Sequence, residues 1–169
     1  MPDISLIRFA LWAAAVVLLM VAALHDVALR IIPNTVPVLV GSLGLLLRAA
    51  DGQFLVPILL AAAVFVLGAI CWRRGLLGGG DVKLLAACAL LLPPGSAAAF
   101  LLSTALAGGL LAIIYVALRR LPARLFTDMP GQTLAARIWR LERQRIRRGG
   151  PLPYACAICV GVVIAACGS

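Results

Sequence analysis

The sequence predicts an all-α fold, a polytopic membrane bundle of about six transmembrane helices with both termini outside. Three observations lead there. Of the 169 residues, 64% are hydrophobic and only 12% charged, with a mean hydropathy of +1.12. That leaves too few polar side chains to cover the surface of a water-soluble domain of this length. Apolar stretches follow one another along the chain, divided by short charged or Gly/Pro-containing breaks, as successive membrane spans do. The basic residues collect in alternate breaks, an asymmetry that orients such spans.

The breaks place spans at about 4–24, 34–47, 54–72, 82–92, 95–118 and 153–167, with a basic loop over 119–150. The whole chain, 1–169, reads as one membrane-embedded domain. The first stretch is long for a secretory signal and meets His25-Asp26 without a small-residue cleavage pattern, so it reads as a retained helix. Several stretches fall short of the roughly 20 residues of a straight crossing. The shortest is the fourth, between Gly78-Gly79-Gly80-Asp81 and Pro93-Pro94. It either crosses a thinned or water-penetrated region or is re-entrant.

Charge decides between these. Arg30 follows the first span, Arg73 and Arg74 the third, and a cluster from Arg119 to Arg148 the fifth. The other ends carry only Asp3, Arg8, Arg48 and Asp51. Six full crossings put every basic loop on one face, which the positive-inside rule makes cytoplasmic. A re-entrant fourth segment would throw the most basic loop outside.

The net charge of +9 is explained by this orientation signal and by contact with anionic membrane lipids, so no nucleic-acid partner is expected. Within the basic loop, Leu134, Ile138, Leu141 and Ile146 fall near helical spacing with arginines between them. They fit either an amphipathic helix on the inner leaflet or a solvated loop without one. Cys156 and Cys159 form a lone C-x-x-C with neither a second pair nor a histidine cluster. The five cysteines therefore read as packing residues in helices, and no metal or cofactor is expected.

Two carboxylates lie at the cytoplasmic ends of central helices. Asp26 ends the first and Asp81 opens the fourth, which places both at one membrane interface. Ionisable groups near hydrocarbon are costly and mark function by default. Each also has a structural explanation. Asp81, after three glycines, is a candidate N-cap. Asp26 has Arg30 one turn on for a local ion pair, if the helix continues that far. Neither explanation accounts for two acids at one interface. Pro33 blocks helical continuation after the first span, and Asn34 is placed to cap the second. Gly78, Gly79 and Gly80 allow close approach of a neighbouring element or an extended peptide. Lys83 is placed to meet lipid phosphate or a carboxylate.

These residues resemble a known family. Asp26, with Arg30 and Ile32-Pro33-Asn34, is similar to the first active-site motif of bacterial prepilin peptidases. Gly78-Gly79-Gly80-Asp81-Val82-Lys83-Leu84 resembles their second, of the GxGD type. Pro153-Tyr154-Ala155 is similar to the family's Pro-Tyr-Gly-Pro segment, with Ala155 and Cys156 in place of the last two residues.

The resemblance implies an aspartic endopeptidase of the bacterial inner membrane, with Asp26 and Asp81 catalytic. Arg30, Pro33, Asn34, Gly78, Gly79, Gly80 and Lys83 would support the motifs or bind substrate. Its partner would be a type IV pilin-like precursor, whose short basic leader it removes at the cytoplasmic face. Only nine residues run from His25 to Pro33, with no room for the cysteine-rich segment of the methylating members. Cleavage without N-methylation is therefore expected, as in the small forms serving tight-adherence (Flp-type) pili. One carboxylate would take a proton from water while the other donates to the scissile carbonyl. The helix ends suggest placing the proton on Asp26. Alternative readings are a GxGD protease for another secreted precursor, or a small transporter or assembly scaffold.

Overall fold

The computed structural model describes residues 4–52, 54–120 and 134–168, and the described residues are helical with short connections. The helices are α1 (Ile4–Leu29), α2 (Thr35–Ala50), α3 (Leu55–Arg73), α4 (Gly79–Leu91), α5 (Ala97–Arg120), α6 (Leu134–Arg148) and α7 (Tyr154–Cys167), with a 3-10 turn at Pro94–Ser96 before α5. Arg124 and the rest of 121–133, part of the predicted basic loop, lie outside the described residues.

Proline and backbone handedness set the boundaries. α1 runs to Leu29, past the predicted end at residue 24, so Asp26 lies inside its last turn. It stops at Arg30, whose φ of 58° is left-handed, and Ile32 before Pro33 is disfavoured from continuing a helix. α4 ends at Leu92, held extended (φ −81°, ψ 151°) by the Pro93 that follows. With 13 residues α4 is on the order of 20 Å long.

That short helix is the centre of the bundle. α4 packs against α2, α3 and α7, while α5 packs on α7 and α1 on both α2 and α7. Leu84, Leu91 and Leu92 from the α4 segment are fully buried with Val40, Phe100, Ile158 and Val162. Small residues line the helix contacts, among them Ala15, Ala22, Ala87, Ala155 and Ala165, as expected where helices associate by close packing in lipid. At Gly44 the approach of α2 to α4 is closest. A Cβ there would lie 2.7 Å from the backbone nitrogen of Leu91.

The outer faces are apolar. Phe9, Val17 and Leu24 on α1, Leu59 and Leu67 on α3, and Leu106 and Ile113 on α5 are all exposed. So much contiguous apolar surface fits a hydrocarbon surround rather than water. Ser5–Leu29 (25 residues), Leu55–Arg73 (19) and Pro94–Arg120 (27) are long and apolar enough to cross a membrane, whereas α2 and α7 are shorter apolar helices.

The connections sort to two ends. At one, Asp51 pairs with Arg8 and, at 3.0 Å, with Arg48, joining the start of α1 to the α2–α3 turn. At the other, the α1–α2 connection, the α3–α4 connection, α6 and the start of α7 converge.

The Gly44 contact gives a direct test of this packing. Gly44→Val should cost about 2–3 kcal/mol, because the obstructing atoms are backbone and cannot turn aside. Gly109→Ala, with open space around the added carbon, should be neutral or stabilise by about 0.5–1 kcal/mol. Unfolding of both variants in detergent checks the contrast.

Candidate active site

Asp26 is the charged residue that α1 carries into the bundle. It is buried, and its Oδ2 accepts a hydrogen bond of 3.0 Å from the backbone N–H of Ala155. Ala155 is the second residue of α7, whose first-turn amides have no partner within the helix. The carboxylate thus caps a helix 129 residues away in sequence, at the positive end of that helix's dipole. The proton assignment expected from sequence rested on Asp26 facing only the C-terminal end of α1. With an N-terminal amide on it, that reasoning no longer separates the two acids.

Asp81 is the third residue of α4, and the N-cap position belongs to Gly78, which is extended (φ −75°, ψ 144°). The side chain turns back so that the Gly78 N–H faces its carboxylate, the backward half of a capping box. The aspartate is therefore a first-turn residue, not the cap. Its Oδ1 is buried and has no hydrogen-bond partner among the described residues. Gly78 is confined by the same geometry, since a Cβ there would sit 2.7 Å from Asp81 Oδ2.

Both acids line one cleft. A hollow of about 520 Å³ is walled by Asp26, Asp81, Leu76, Leu77, Leu152 and Tyr154. It adjoins a second, of about 250 Å³, bounded by the same two acids with Ile32, Asn34, Gly79 and Gly80. The carboxyl groups are close enough to repel one another. Bound on one side by glycine backbone and on the other by leucines, the cleft offers a path for an extended peptide past two carboxyls.

The remaining predicted residues divide. Arg30, Asn34, Gly78, Gly79 and Gly80 reach the cleft. Pro33 stays in the α1–α2 connection, where its carbonyl accepts the Val36 N–H at 3.0 Å. Asn34 makes no side-chain cap on α2. Its own backbone is already helical (φ −59°, ψ −22°), whereas a capping residue is usually extended. Its Oδ1 instead accepts from Lys83 Nζ at 2.8 Å, so the lysine ties α4 to α2 rather than meeting a carboxylate. Arg30 makes its ion pair with Glu142 on α6 and does not close a local bridge to Asp26.

Several residues at this end were not singled out as site residues from the sequence. Tyr154 lines the cleft, although its Pro-Tyr-Ala segment had been recognised as a motif. Tyr115 on α5 and Glu142 and Arg145 on α6 form a polar group behind Asp26. One signal was available: Glu142 is the sole acid among six arginines in α6. The predicted amphipathic pattern does form this helix. Ile146 is buried on its inner face, while Leu141 is exposed.

Apolar outer faces and an acid-lined cleft at one end of the bundle define a helical membrane protein with an enzyme-like site. Residues 13–113 match the type IV leader peptidase family, more than half of the chain, and the protein belongs to that family. It is a peptidase, a hydrolase. No curated protein and no solved structure matches the chain. The family match takes in both aspartate motifs, with α6 and α7 beyond its end.

The Gly78 contact predicts a functional cost without loss of the fold. Gly78→Ala should displace the Asp81 carboxyl and, on the two-carboxyl reading proposed below, lower peptidase turnover at least about tenfold, since misplacement of a group at the chemistry by 1 Å costs up to about a hundredfold. Steady-state cleavage by the purified variant, compared at equal folded protein, measures it.

Proposed function

We propose that the protein is an aspartic endopeptidase that removes the short basic leader from a type IV pilin-like precursor, most closely of the Flp type. The observation that carries this reading is the shared cleft, in which Asp26 and Asp81 face one space. Two carboxyls so placed do not readily ionise together and suit a site that holds one proton between them.

The chemistry then runs without a cofactor. The ionised carboxyl takes a proton from water as the oxygen attacks the scissile carbonyl carbon. The protonated carboxyl donates to the carbonyl oxygen, giving a tetrahedral diol. Collapse breaks the C–N bond, a proton passes to the departing amine, and the second product is the leader's carboxylic acid. Asp26 is held by the Ala155 amide and Asp81 by the first turn of α4, so neither has to be ordered when substrate arrives.

The substrate class follows from where the cleft would sit. In this reading the bundle makes six crossings of the bacterial inner membrane, with both termini outside. The cleft opens at the cytoplasmic face, where arginines are concentrated, in accord with the positive-inside rule. A precursor with a basic leader in the cytoplasm and an apolar helix in the bilayer would present its junction at that depth. Only a short connection joins α1 to α2, which supports cleavage without N-methylation.

Asp26→Asn and Asp81→Asn test the dyad. An asparagine at 26 still accepts the Ala155 N–H, so insertion should survive. Each variant should process precursor at least about a hundredfold more slowly, the scale of lost acid–base catalysis. Precursor and mature bands on a gel, with membrane-extracted enzyme quantified alongside, report it. Processing at the normal rate by either inserted variant would end the proposal.

A further inference from the structure

α6 lies outside the residues that match the family, yet it is bonded to the turn that carries Asp26. Arg145 Nη1 donates to the Val27 carbonyl at 2.8 Å and Nη2 to the Ala28 carbonyl at 3.1 Å. These belong to the last turn of α1, whose carbonyls have no acceptor role left inside the helix. Arg145 is in turn held by Glu142, its Nη1 donating to Oε2 at 3.2 Å. The other carboxylate oxygen of Glu142, Oε1, accepts from both Arg30 Nη2 and Tyr115 Oη. One buried carboxylate therefore gathers donors from three elements: the end of α1, the last turns of α5, and α6 itself.

The backbone gives the reason such a clamp is needed. Arg30 is the one non-glycine residue with positive φ among the described residues. A side chain other than glycine occupies that region at a cost and persists there only when its surroundings hold it. The guanidinium of Arg30 pairs with Glu142, which ties this residue to α6. Release of that contact would leave the turn four residues beyond Asp26 held chiefly by the Arg30 N–H, which donates to the Asp26 carbonyl at 2.9 Å.

We infer that Glu142 and Arg145 are positioning residues, which fasten the last turn of α1 to α6 and so set the place of the Asp26 carboxyl in the cleft. Neither residue lines the hollows that hold the two aspartates, and their effect reaches the chemistry through Arg30, Val27 and Ala28. The functional part of the inference rests on the aspartic peptidase reading above, whereas the mechanical part does not.

The experiment uses the full-length protein purified in detergent, with Glu142→Gln and Arg145→Met compared with the parent. Glutamine at 142 still offers an acceptor for Tyr115 and removes the charge, and methionine at 145 keeps the apolar stem while removing both donors. Amide hydrogen exchange over residues 26–32 should become at least about tenfold faster in both variants, with exchange over 84–100 in the bundle centre unchanged. In precursor cleavage, kcat should fall at least about tenfold while KM stays within about threefold. Parent-like exchange over 26–32 overturns the clamp, as does acceleration spread equally over 84–100, which would mean general loosening. A raised KM at unchanged kcat also overturns it, by making α6 a substrate-docking element. Should the parent itself fail to cleave precursor, the peptidase reading falls, and the exchange comparison still decides the clamp.

Discussion

The carboxyl group of Asp26 meets the backbone N–H of Ala155 at 3.0 Å inside the bundle, and this bond joins the C-terminal turn of the long apolar α1 to the N-terminal turn of the shorter α7. A carboxylate buried among apolar helices would otherwise be prohibitively costly. A free helix N-terminus in the same place would leave donors without partners. Each resolves the other's deficit. At the same end α4 presents Asp81, its carboxylate turned back on the Gly78 amide.

The rest of the architecture serves that meeting. α4 is short because Pro93 stops it after Leu91, and most of its apolar residues are buried because α2, α3 and α7 pack against it. Small residues and Gly44 let those neighbours close in. A rigid central helix places Asp81 more reliably than a loop would. Gly78 leaves room beside the carboxyl where a larger residue would collide with Oδ2. Lys83, a half-turn further on, is spent on Asn34 and so braces the α1–α2 connection against α4.

Much of this was readable in the sequence because it is local. The apolar stretches and their Gly/Pro breaks mark the helices, and two acids at helix ends with their flanking residues mark the candidate site. What escaped notice depends on long separations. Ala155 contributes a backbone amide, which no side-chain pattern announces. Glu142 meets Arg30 across 112 residues and Tyr115 across 27, and an arginine-rich helix reads first as an orientation signal. Arg30 and Asn34 were assigned to their sequence neighbours, Asp26 and the start of α2. In the folded chain the charged and amide groups reach other helices instead, since α1 ends in a left-handed turn and the backbone of Asn34 is already helical.

In the proposed mechanism, two carboxyls act on one tetrahedral centre, and that is a statement about binding as much as about rate. An enzyme of this kind should hold a transition-state mimic far more tightly than its substrate, through the groups that do the chemistry. The measurement closest to the central claim is the dissociation constant of a precursor peptide whose scissile amide is replaced by a hydroxyethylene unit. The account predicts that the parent protein binds it at least about a hundredfold more tightly than do the Asp26→Asn and Asp81→Asn variants. Equal affinity for all three proteins would contradict a site built on these two aspartates.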